Sequence, residues 1–198
     1  MKKYQLQFLI LILCFCIQRN YPVLSADWNQ GITAYKLGDY ETAFKEFLPL
    51  ADRGHALAQF NLGVMYRGGI GIPKNIGLAV KYYTLAANQG VARAQYLLGS
   101  IYRGGKGVIQ NDGIALKWFS LAASQGDIDA QYYLGVMYRR GRLQNFVFAH
   151  MWWNIAALSG DRMAAKNRDE VAMRMSLSQI RKAYKLAKEC INKGYKNC

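Results

Sequence analysis

Two histidines, His55 and His150, are the only imidazoles in 198 residues. Neither has a cysteine, serine or carboxylate at a spacing that makes a nucleophile or a metal ligand set. No HExxH or CxxC occurs, and no cysteine and histidine cluster has metal-ligand spacing. Isolated at points where a helical pattern starts or ends, both histidines read as structural. Asp127 and Asp129 are a closely spaced carboxylate pair, but they stand at a helix start, where acids favour the helix dipole. GGIGIPK, at residues 68–74, follows a helical pattern rather than a strand and lacks the third glycine of a dinucleotide fingerprint. GSIYRGGK, at 99–106, misses a phosphate-binding loop. Ser100 stands where the first glycine belongs, and Gly107 follows the lysine in place of Ser or Thr. No catalytic residue, metal site or cofactor site is expected.

The elements around these residues are more informative. AQFNLGVMYRGG begins at Ala58, AQYLLGSIYRGG at Ala94 and AQYYLGVMYRRG at Ala130. A second segment follows each: AVKYYTLAANQG from Ala79, ALKWFSLAASQG from Ala115 and AHMWWNIAALSG from Ala149. Each unit reads as two helices. In the first, Ala58, Leu62, Gly63 and Tyr66 share one side of a helical wheel. Gly63, Gly99 and Gly135 recur inside this helix, where glycine costs about 1 kcal/mol against alanine, so a neighbouring helix is expected to approach closely there. The second helix carries Ala79, Tyr82, Tyr83, Ala86 and Ala87 and ends at Gly90, a left-handed stop repeated at Gly126 and Gly160. Trp118, Trp152 and Trp153 fall in second helices and read as core. One pair cannot bury its apolar face alone. Stacked pairs bury a continuous core.

The pattern AxAQxxLGxxYRxGxG followed by AxxWxxxAAxQG resembles the Sel-one-like repeat (SLR) family, relatives of the tetratricopeptide repeat. The units at 56–91, 92–127 and 128–160 carry the resemblance, although the last connector, RRGRLQN, lacks the double glycine. AYKLGDYETAFKEF places a divergent tetratricopeptide-like unit at 27–55. The fold expected is all-α: a right-handed α/α superhelix of helix-turn-helix repeats with a C-terminal capping helix pair at 161–198. In that cap, Ser176 and Gln179 form a capping-box pattern. Ile180, Ala183, Tyr184, Ala187, Cys190 and Ile191 give one apolar stripe.

The resemblance also implies that first helices line a concave groove. The side opposite the inner residues presents Phe60, Tyr96 and Tyr132; Asn61, Leu97 and Tyr133; Val64, Ser100 and Val136; and Arg67, Arg103 and Arg139. Aromatics and arginine are enriched at binding hot spots, and arginine forks onto carboxylates. The alternative is that these aromatics pack between repeats while the arginines bond the last helix carbonyls. Some family members are described as acting on β-lactams, but no serine here has lysine three residues later, as Ser-x-x-Lys requires.

Charge and the N-terminus set the expected compartment. The formal net charge is +14 with pI ≈ 9.7, which favours anionic partners. Lys2 and Lys3, an apolar run at 8–17 and the small residues Ser25 and Ala26 have the layout of a signal peptide cleaved near Ala26. The run is short for a membrane span, which needs about 20 residues. Export would put cellular nucleic acid out of reach. The expectation is a non-enzymatic periplasmic or secreted scaffold that binds a protein or peptide bearing acidic groups. The alternative is a peripheral binder of anionic lipid or peptidoglycan through the basic cap, where ten Lys and Arg face four acids. In an oxidising compartment Cys190 and Cys198 could close a disulfide, the alternative being two free thiols.

Overall fold

The computed structural model describes residues 26–140 and 144–198. The signal-peptide expectation therefore lies outside the described residues, apart from Ala26. Among these residues the secondary structure is ten α-helices and no strand. They are α1 (Trp28–Leu37), α2 (Tyr40–Asp52), α3 (Ala56–Gly68), α4 (Ile76–Asn88), α5 (Ala92–Gly104), α6 (Asp112–Ala123), α7 (Ile128–Arg139), α8 (Phe146–Leu158), α9 (Arg162–Ala172) and α10 (Leu177–Asn192). Each helix packs on its sequence neighbours from α1 to α9, and α10 packs on α8. The result is a helical-repeat superhelix.

Local chemistry starts and stops each helix in the same way. Asn75, Asn111 and Asn145 cap α4, α6 and α8 by accepting first-turn N–H bonds, which satisfies donors with no intrahelical partner. Their own backbone N–H groups bond the carbonyls of Tyr66, Tyr102 and Tyr138, tying each connector to the preceding helix. Gly90, Gly126 and Gly160 take φ of 88°, 86° and 98°, so the expected left-handed stops are present.

The recurring helical glycines receive an aromatic ring from their own unit. A Cβ at Gly63 would lie 2.5 Å from Tyr83, at Gly99 2.7 Å from Phe119 and at Gly135 2.5 Å from Trp153. Gly31 meets Phe47 at 2.7 Å in the same way. The expected close approach is thus a ring lying on bare backbone.

The inner side of the first helix differs from the wheel in two respects. Tyr66 is only half-buried and stacks on Tyr82 with centroids 5.7 Å apart. Gln59 and Met65 are buried instead. Trp118 is half-buried at the edge of the core, while Trp152 and Trp153 lie within it.

The third unit diverges because its second helix is covered on both sides. Every residue from Ala149 to Ala156 is buried, as an all-round apolar helix requires. Ala149, Trp153 and Ala156 face α9 through Ala164 and Val171. Met151, Trp152 and Ile155 face α10 through Ala187 and Cys190. Lys81 and Lys117 hold the Met151 position in earlier units and are exposed. Although residues past 160 show no repeat by eye, α9 keeps the first-helix register, with Ala164 fully buried like Ala58, Ala94 and Ala130. The Ser176–Gln179 capping box forms. The stripe of α10 is narrower than expected: Ala183, Ala187 and Cys190 are buried, but Tyr184 is 47% exposed. Cys190 and Cys198 are joined by a disulfide.

Candidate functional site

The side chains of successive first helices meet edge to edge and build one wall. Tyr96 packs against Tyr133 at 5.9 Å, Arg93 pairs with Asp129, and the Asn167 amide donates to the Tyr132 hydroxyl at 3.3 Å. The twelve residues singled out from the sequence all fall on the first helices α3, α5 and α7, and none is fully buried.

The aromatic row is half-buried. Phe60 leans on Tyr83 and Tyr96 on Phe119, both at 6.0 Å. The Tyr132 carbonyl accepts from the Trp153 indole at 3.1 Å. Trp28 of α1 extends this row, packing on Phe47 at 5.5 Å. In the next row Tyr133 stacks on Phe119 at 5.4 Å, Leu97 packs against the core, and Asn61 is half-buried. Val64 and Val136 fill gaps between units, with Ser100 at the same position between them. These residues therefore both support the repeat packing and present a surface.

Arg103 and Arg139 lie on aromatic faces rather than on helix carbonyls. The Arg103 guanidinium sits 4.5 Å above the Tyr133 ring and that of Arg139 5.5 Å above Trp153. Arg67 is exposed beside the buried Tyr83 phenol. Burial pushes that phenol up to about 12, and Arg67 partly offsets it. The last turns are closed by backbone N–H groups: those of Gly69, Gly105 and Arg140 bond the carbonyls of Met65, Ile101 and Met137. Arg139 meets Glu170 of α9 at 3.9 Å. Among the described residues, neither Arg67 nor Arg103 meets a carboxylate within ion-pair distance. The Nε of Arg103 is buried with no acceptor.

The remaining polar candidates have structural roles. His55 caps α3, its Nδ1 accepting from Ala58 N at 3.1 Å, and its ring packs on Trp28. Buried His150 meets Tyr184 edge-on at 5.0 Å, and burial holds its pKa below the usual imidazole value. Asp127 caps α7 through Ala130 N at 2.8 Å, and its burial raises its carboxyl pKa. Asp129 pairs with Arg93, more than the dipole role read from the sequence. No group of His, Cys, Asp and Glu among the described residues could hold a metal ion.

Sequence reasoning missed a row of buried glutamines. Gln59, Gln95 and Gln131 are each under 5% exposed. Their amides donate to Ala51, Ala87 and Ala123 carbonyls at 3.0, 2.9 and 3.4 Å. The signal was the constant Ala-Gln at the head of every repeat.

These stacked helix pairs, with glycine–aromatic contacts and a polar-aromatic wall, define a helical-repeat scaffold. The Sel1 repeat model matches residues 56–91, 92–127 and 128–161. The chain belongs to the Sel1 repeat family. A Sel1 repeat protein from Oxalobacter formigenes superposes with a TM-score of 0.67 at 33% identity, covering 72% of this chain and 59% of that one. The structure of c5321, a protective antigen present in uropathogenic Escherichia coli strains, shares the fold. Its TM-score is 0.50 at 23% identity, over 83% of this chain and 47% of that one. Mouse protein sel-1 homolog 2 is 43% identical over 35% of this chain and 13% of its own length. Rat DAP3-binding cell death enhancer 1 is 42% identical over 25% of this chain and 10% of its own. The chain thus spans only about a tenth of these curated relatives. Sel1-repeat proteins are generally scaffolds for protein–protein interaction rather than enzymes.

Proposed function

We propose that this scaffold is exported, is not an enzyme, and binds a partner protein or extended peptide bearing acidic groups along its first-helix wall. One observation carries the reading: Arg67 and Arg103 stand on that wall without carboxylate partners among the described residues, next to a half-buried aromatic row. The Arg103 guanidinium, already oriented on the Tyr133 face, loses less freedom when it forks onto a ligand carboxylate. Arg139 is engaged by Glu170, so binding centres on the first two units. Export rests on the dibasic, apolar and small-residue order of the first 26 residues, and a paired Cys190 and Cys198 suits an oxidising compartment. An envelope or host-facing role follows from that compartment. A similar protein is named for binding DAP3, in keeping with protein recognition by such repeats.

A second reading has its own observation. Arg181, Lys182, Lys185 and Lys188 are all exposed on α10, a face suited to an anionic envelope surface. The test uses the oxidised chain from residue 27 as bait in an envelope extract, with captured proteins identified by mass spectrometry. Arg67→Ala with Arg103→Ala should lose the specific partner while keeping its helix content. Equal capture by parent and variant, abolished by salt or by neutralising the four cap cations, would move the function to α10.

A further inference from the structure

The third unit shows what the arginines of the first two lack. Because α9 keeps the first-helix register, with Ala164 matching Ala130, Glu170 stands where Val64, Ser100 and Val136 stand in the earlier first helices. Those three residues are uncharged. Glu170 meets Arg139 of the preceding unit at 3.9 Å and Lys166 of its own helix at 4.0 Å. One repeat earlier, Arg103 also reaches the first helix of the next unit, where its guanidinium lies on the Tyr133 ring at 4.5 Å. Val136 follows Tyr133 by three residues, so the two side chains are neighbours on one face of α7. For Arg67 the matching residue of the next first helix is Ser100.

Arg139 thus receives a carboxylate from the following helix, whereas Arg103 and Arg67 find an aliphatic and a hydroxyl side chain at the same register position. Arg103 is also partly desolvated. It is half-buried, and its Nε is buried without an acceptor. Part of the cost of removing this cation from water is therefore already met in the free chain, and an arriving carboxylate forms the stronger, charge-assisted kind of hydrogen bond.

We infer that the carboxylates of a bound partner take, in the first two units, the place that Glu170 takes in the third. One sits on Arg103 over Val136. The other sits on Arg67 beside Ser100, whose hydroxyl is a further donor for it. Glu170 is the chain's own acidic side chain in a third seat of the same row, and it closes that seat to the partner. The partner that fits is an acidic segment with two carboxylates one repeat apart. This placement rests on the first-helix wall being the binding face, and adds where along it each carboxylate lies.

The test follows the anisotropy of a fluorescein-labelled hexaglutamate peptide titrated with the oxidised chain from residue 27. Val136→Glu supplies the Arg103 seat with a carboxylate from within. It should weaken the peptide at least about tenfold relative to Val136→Gln, which has the same size and no charge. Leu121→Glu, the same added charge on a second helix, should weaken it by about twofold at most. Glu170→Gln should open the third seat and tighten binding about two- to fivefold, and Glu189→Gln on α10, equal in charge, should not. Equal binding by Val136→Glu and Val136→Gln, or equal gains from Glu170→Gln and Glu189→Gln, would overturn the inference. If Arg103→Ala weakens the peptide and Val136→Glu does not, the wall stands and this placement falls. If Arg103→Ala changes nothing, the binding of acidic groups on the wall falls as well.

Discussion

Replacing Gln95 and Gln131 by leucine, one at a time, should destabilise the chain at the first position and not at the second, although the two positions are equivalent. Gln95 makes two bonds, to Ala87 O at 2.9 Å and from Gln125 Nε2 at 2.8 Å. Each is worth about 1 kcal/mol net. The Ala87 carbonyl keeps the Gly90 N–H at 3.0 Å, and the exposed Gln125 amide returns to water. The loss is thus about two bonds, offset in part by the leucine's easier burial, leaving a cost of about 1–2 kcal/mol. Gln131 makes one bond of 3.4 Å, beyond the usual N–H···O range, and carries an unsatisfied oxygen costing about 1–3 kcal/mol. Gln131→Leu should be neutral or stabilise by up to about 1 kcal/mol. At this chain length 1 kcal/mol moves Tm by about 2–4 °C. Calorimetry at pH 7 should therefore show a drop for Gln95→Leu and none for Gln131→Leu. A drop of equal size in both would refute the bond-by-bond reasoning.

Other outcomes follow from the same geometry. Ser159 stands where the earlier units have Gln89 and Gln125, so Ser159→Gln should supply the bond that Gln131 lacks and raise Tm by a few degrees, about 1 kcal/mol, measured by thermal denaturation. Gly99→Ala should destabilise by about 1–3 kcal/mol despite its better helix propensity, because its Cβ would meet the Phe119 ring at 2.7 Å; denaturant titration reads this. Burial holds the folded-state pKa of His150 down, with Arg168 acting in the same sense and Asp169 against it. The unfolded chain then takes the proton first, so stability present above about pH 6.5 is lost as pH falls toward the folded value. His150→Leu, matching Val80 and Leu116 of earlier units, should flatten the Tm profile between pH 8 and pH 5.

The repeat was legible because stacking demands the same surface each time. Ala58, Leu62 and Gly63 recur in register, and a glycine kept in a helix signalled a close contact. The rings that occupy those contacts, Tyr83, Phe119 and Trp153, were visible as aromatics but not as the partners of particular glycines, since pairing across two helices is set in three dimensions. That the wall residues stand outside the buried side of the first helices was legible from the wheel. Their double role was not, because Tyr96 and Tyr133 touch a neighbouring unit as well as the surface. The Gln131 orphan was hidden because glutamine usually marks an exposed position. Only its depth in the core shows that exchanging the glutamine of the earlier units for Ser159 removes a bond. Nor could the sequence show why Met151 replaces the lysines of earlier units, since α10 reaches α8 only in the folded chain.

The central claim is that partners meet the first-helix wall. Site-directed photo-crosslinking tests it most directly, with a benzophenone side chain placed at half-buried Asn61 on the wall, at Leu121 (40% exposed) on a second helix, or at exposed Lys185 on α10. The account predicts a discrete partner adduct from position 61 and none from 121 or 185. Adducts from 121 or 185 with none from 61 would contradict it.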